Sequence, residues 1–201
     1  MARIRNTSAL LPWIIVLAVI GLPVWLAALS PFLAWRQPVY IIAGFAGIIG
    51  LGLLVLQPLL IDGRLLGLSP RRRRQLHIGG GALLLISVGV HVIGLFITSP
   101  PDVIDALLFR SPTTFSAYGV IALAAVGAAA VLAPIKLRAS RRSSVFRLTH
   151  MALVTIGVVC TVIHALLIEG TMEPFSKAAL CLVALMVLVS VIIARRGRLK
   201  A

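Results

Sequence analysis

The sequence predicts an all-α protein, a six-span transmembrane helical bundle with both termini in the cytoplasm. Three observations predict it. Hydrophobic residues make up 60% of the 201 and the mean hydropathy is +1.10, more apolar side chain than a soluble domain can bury. These residues gather in six runs, at about 10–29, 39–60, 76–98, 117–135, 146–168 and 175–194, each near the length of a helix that crosses about 30 Å of hydrocarbon. The basic residues then alternate with the runs. Arg3 and Arg5 precede the first; Arg64 and Arg71 to Arg74 follow the second; Lys136, Arg138, Arg141, Arg142 and Arg147 follow the fourth; Arg195, Arg196, Arg198 and Lys200 follow the sixth. Only Arg36, Arg110 and Lys177 fall in the other connections, beside Asp102, Asp105, Glu169 and Glu173. Cytoplasmic loops carry the excess of Lys and Arg, so both termini are expected there.

The net charge of +14 raises the question of nucleic acid. The distribution excludes it, because the charges sit at span ends, where they set topology and touch anionic lipid. No room remains for a second domain, and residues 1–201 read as one. The first run follows two arginines but is longer than a cleaved signal core and contains Pro12 and Pro23, so a retained anchor helix is expected. The second carries Gly44, Gly47, Gly50 and Gly52, which suit close helix packing. Pro70 is expected to break the chain before the third run, which opens at His77 and continues through Gly79, Gly80 and Gly81. The apolar patch 103–109 is expected to lie along the membrane surface or to cover a pocket. The fourth run has no polar side chain and reads as packing. Cys160 and Cys181 fall inside runs five and six, as small apolar groups rather than a disulfide.

The four histidines of the protein are His77 and His91 in the third run, His150 and His164 in the fifth. Both intervals are fourteen residues. Fourteen helical steps make four turns less about 40°, so each pair shares a face with its members roughly 21 Å apart. The third and fifth spans run in the same direction, which sets His77 level with His150 and His91 level with His164. Ionisable groups inside spans are uncommon and usually functional. Two imidazoles per level, with no carboxylate or thiolate beside them, suit the two axial positions of a porphyrin iron better than a zinc or copper site. Two b-type hemes, one per leaflet, are the expected cofactors. Ser87, one turn before His91, is a candidate to orient that ring or to bond back to its own helix. Gly157, midway between His150 and His164, would leave space between stacked ligands. Arg74 and Arg147 are candidates for the inner propionates and Arg110 and Lys177 for the outer ones, against a plain topological role for each.

These histidine pairs resemble the ferric reductase-like transmembrane domain superfamily, in which pairs thirteen or fourteen residues apart in the third and fifth of six spans ligate two b hemes. The recognisable motifs lie between Asp62 and Glu169. The resemblance implies transmembrane electron transfer from a cytoplasmic-side donor to an outer-side acceptor, in a bacterial plasma membrane. Ferric reductases and NADPH oxidases carry in addition a flavin- and nicotinamide-binding region. No GxGxxG follows a strand in these 201 residues, so a separate flavoprotein or quinol is the expected donor, as in stand-alone bacterial members. A periplasmic redox protein is a candidate acceptor, and flavin is a further cofactor that no motif supports. Two other readings stand beside this one. In the first the chain is the heme-bearing membrane anchor of a separate redox enzyme. In the second it is a heme-free transporter or scaffold, although its spans lack the buried acids, amides and broken helices common in transporters.

Overall fold

A computed structural model describes residues 4–62, 67–138, 144–170 and 172–200. They form helices joined by short connections: α1 (Ile4–Ala28), α2 (Pro38–Asp62), α3 (Pro70–Thr98), the short α4 (Pro100–Leu107), α5 (Thr114–Arg138), α6 (Ser144–Leu167) and α7 (Pro174–Lys200). No strand occurs among the described residues. All but α4 are long and apolar enough to span a bilayer. This is an all-α bundle of the expected class. Arg64, Arg141 and Arg142, three of the expected topology charges, lie outside the described residues, as does Arg3.

The helix ends follow capping chemistry rather than hydropathy. Pro70 does not break the chain; it opens α3, with the Ser69 hydroxyl accepting the Arg72 amide at 3.4 Å. Proline has no amide hydrogen to leave unpaired in a first turn, and its fixed φ suits that position. Arg71 to Arg74 are therefore helical, and His77 sits two turns inside α3 rather than at its start. At the other end of the bundle, Glu173 caps α7 by accepting the Phe175 and Ser176 amides, each at 2.9 Å. That carboxyl is held below its ordinary pKa by the Ser176 amide first and the Phe175 amide second, since both bonds favour the charged form.

Two helical hairpins make the frame. In the first, α2 packs along α3; in the second, α5 packs along α6. Small residues set the approach within each. A Cβ on Gly94 would lie 2.8 Å from that of Ala43, and one on Gly157 would lie 3.1 Å from Val126, so neither hairpin would close as tightly with alanine there. The Gly157 face thus meets Val126 and Ala125 of α5. Helix α7 joins the hairpins by packing on α2 and α6, and α1 packs behind α2 and α7. The main core runs through Leu51, Leu54 and Val55 of α2, Val158 and Val162 of α6, and Leu180, Cys181 and Leu188 of α7. Both cysteines are free thiols. The outward faces carry large apolar side chains such as Leu17, Ile86, Ile93, Leu182 and Ile193, all more than half exposed. In water that surface would be untenable; against lipid tails it costs nothing.

Candidate functional site

Helices α3 and α6 each pack on their own hairpin partner, and a cavity of about 900 Å³ opens between the hairpins. Leu54, Leu84 and Val126 line its deep end, and Arg36, Asp102 and Glu169 its mouth at the α4 end of the bundle. Val103, Ala106 and Leu107 of α4 form part of the wall. That apolar patch therefore covers a pocket, one of the two roles expected for it. A volume of this size lies toward the upper end of small-molecule sites.

His91 and His164 project into this cavity. Their ring centres are 6.4 Å apart with the planes at 86°. Each ring is held by the partner helix of its own hairpin. The His91 Nδ1–H donates to the Ala43 carbonyl of α2 at 2.8 Å, and the His164 Nδ1–H donates to the Phe115 carbonyl of α5 at 2.8 Å. A carbonyl can only accept, so the proton must be on Nδ1 and the Nε2 lone pair is left for a ligand. Ser87, considered from the sequence as the orienting group for His91, is instead buried near the position of Gly50. The Phe115 ring adds an edge contact to His164, with centres 6.0 Å apart.

No protein-family model matches the chain, and comparison with curated proteins and with solved structures likewise gives no match. A metal–imidazole bond of about 2.0–2.1 Å, plus about 1.2 Å from nitrogen to ring centre, counted on both sides, gives a centroid separation of about 6.4–6.6 Å. The 6.4 Å between His91 and His164 fits two imidazoles on opposite sides of one ion. Among the described residues no group of three or more His, Cys, Asp or Glu side chains comes together as a metal site. An ion here would take two ligands from the protein and the rest from a group that brings its own donors. A metalloporphyrin is such a group, and the donor set and cavity fit it.

The second pair lies toward the arginine-rich end. The His77 Nδ1–H donates to the Gln57 carbonyl at 3.3 Å, a longer bond than the two above. His77 lies within electrostatic reach of His150 and of Arg195 on α7. His150 stacks on Phe146, with centres 5.9 Å apart and planes at 8°. The Gln57 side chain is buried, and its amide nitrogen lies against Gly80, where a Cβ would approach it to 2.5 Å. Gly80 thus makes room for a glutamine side chain.

Arg74 and Arg147 each stand three residues before a histidine of this pair, and both are exposed. Arg195 of α7, a tail charge by sequence, is thus brought within reach of His77 as α7 packs along α6. At the α4 end Arg110 does not line the cavity, and the Lys177 ammonium is committed to the Ile168 carbonyl at 2.6 Å. Arg36 is the arginine at that mouth, stacked over Tyr40 at 4.9 Å. Ala43, Phe115, Gly47 and Gly119 were also missed as site residues. The first two act through backbone carbonyls, which no side-chain pattern reveals.

Proposed function

We propose that this protein carries electrons across a membrane through two b-type hemes, one between His91 and His164 and one between His77 and His150. The observation that carries the reading is the His91–His164 pair, 6.4 Å apart, with each Nδ1 tied to a carbonyl at 2.8 Å. Heme iron would supply the one-electron chemistry; the chain supplies binding, orientation and dielectric.

The carbonyl bonds fix the tautomer and raise the basicity of the ligating nitrogen. Heme held by both imidazoles would favour electron transfer over ligand binding. Leu54, Leu84 and Val126 line the deep end of the cavity and limit water there, while Arg36 at the mouth offers a partner for a carboxylate. The fourteen-residue intervals set the two levels roughly 21 Å apart along α3 and α6. The arginine-rich end is assigned to the cytoplasm by the positive-inside rule, in a bacterial plasma membrane. A separate flavoprotein or quinol delivers electrons there, and an acceptor on the far side, such as a periplasmic redox protein, removes them. This is the ferric reductase-like arrangement.

The deciding experiment is a reduced-minus-oxidised absorption spectrum of the protein purified from heme-supplemented cells. The expected result is a b-type spectrum with two hemes per chain by pyridine hemochrome assay. Purified, folded protein with no heme absorption would overturn the proposal.

A further inference from the structure

The two rings at the α4 end rest on matching glycines. His91 lies over Gly47 of α2, where a Cβ would come within 3.0 Å of Nδ1 and 3.1 Å of Cε1. His164 lies over Gly119 of α5, where a Cβ would come within 2.8 Å of both Nδ1 and Cε1. In each case the nearest atoms are those of the imidazole. Each glycine also stands four residues after the residue whose carbonyl accepts the Nδ1 proton, Ala43 for Gly47 and Phe115 for Gly119. One turn of helix therefore presents an acceptor and an open slot together, and this unit occurs once in each hairpin.

We propose that Gly47 and Gly119 are positioning residues for the His91–His164 pair, each acting through its histidine by letting the ring lie against the neighbouring helix. The proposal rests on the reading of that pair as metal ligands and adds the residues that set their orientation. Both glycines are helical with no left-handed φ, so alanine would suit the backbone. The obstacle is space. Ordinary contact lies at about 3.5–4.0 Å, so a methyl at 119 would drive the His164 ring back by roughly 0.7 Å. The 2.8 Å bond to Phe115 would then approach the outer limit of hydrogen bonding, about 3.2 Å or more, and Nε2 would leave its place.

Other glycines do different work. A Cβ on Gly50 would meet nothing closer than 3.8 Å, and one on Gly127 of α5 would meet nothing within 4 Å. Gly127→Ala is thus a control on the same helix as Gly119.

The test compares wild type, G47A, G119A, the double variant and G127A as purified full-length protein. Each is reduced and exposed to carbon monoxide, and its heme midpoint potentials are titrated. An intact bis-imidazole site has no open position for carbon monoxide. G47A and G119A are each expected to make half of the bound heme reactive, and the double variant no more than half, because both act on one site. The other half, unreactive and at its wild-type potential, reports that the fold survives. G127A should match wild type. Heme-loaded G47A and G119A that stay closed to carbon monoxide with unshifted potentials would overturn the positioning role and leave the ligation standing. A wild type that takes up no heme would overturn the ligation itself. In that protein the ¹⁵N resonances of the histidine rings still test the seat: loss of the Nδ1-protonated form in G119A supports it, and an unchanged spectrum overturns it.

Discussion

Replacing His91 and His164, singly and together, tests the pairing directly. Rings 6.4 Å apart that share one ion would form a single site, so losing either should empty it. H91A and H164A are each expected to bind one heme of two, and the H91A/H164A double variant also one. Pairing His91 instead with His77 would leave the double variant with none. The same logic predicts that H91A/H150A, which breaks both levels, binds none. The fold should tolerate these changes. Loss of the His91 or the His164 ring removes one ring-to-carbonyl hydrogen bond, of net value about 1 kcal/mol, and the main core through α2, α6 and α7 includes neither ring. Heme content by pyridine hemochrome, with helicity by circular dichroism as the check on folding, reads the outcome. Strict additivity, with the double variant empty and each single at one, would refute the assignment of these two rings to one ion.

Three further expectations follow from other parts of the molecule. Leu180 is 1% exposed in the main core, and in lipid its truncation loses packing rather than transfer from water; a residual void of about 80 Å³ at ~24 cal/mol per Å³ makes L180A less stable by about 2 kcal/mol. Lipid-facing L182A should change little, and equal unfolding midpoints for the two variants in bicelles would contradict the core assignment. G80A should displace the Gln57 side chain and disturb the His77 level alone, seen as a shift in one midpoint potential of two; a shift in both would contradict it. At α7, the depressed carboxyl of Glu173 stabilises the folded cap above the unfolded carboxylate pKa, and that contribution is lost as pH falls through the folded value. A ¹³C titration should find Glu173 below the ordinary carboxylate range, and a raised value would contradict the cap.

How much of this was legible in the sequence depends on which part of a residue does the work. The six spans were legible because apolar length is a property of composition, and the described helices coincide with them. Their ends were not, because a serine cap and a proline at the first turn carried α3 over Arg71 to Arg74, residues that hydropathy assigns to a loop. The same face for His91 and His164 was legible from fourteen-residue spacing. The groups that aim them were not: the Ala43 and Phe115 carbonyls have no sequence signature, and Gly47 looks like its neighbours Gly44 and Gly50 until the ring above it is seen. Loop cations fared worst. Arg36, Arg110 and Lys177 are equivalent by hydropathy, yet Arg36 reaches the cavity and Lys177 is spent on the Ile168 carbonyl, because the order of charges along a loop does not say which way it folds.

The slot between the hairpins is a consequence of how tightly each hairpin closes. Gly94 against Ala43 in one hairpin and Gly157 against Val126 in the other bring backbones together within a hairpin, so packing is satisfied pairwise. The hairpins are then joined mainly by α7, which packs on α2 and α6, and α3 is left facing α6 across open volume. Ring orientation is fixed by the same closeness, since a carbonyl of α2 or α5 can reach an imidazole of α3 or α6 only where the two backbones nearly touch. At the α4 end both rings have such an acceptor at 2.8 Å. Toward the arginine-rich end the bond at His77 is 3.3 Å, and the space beside Gly80 is given to Gln57. The two levels share a spacing but not a degree of restraint: one is set by a repeated backbone unit, the other by a side chain packed on a glycine.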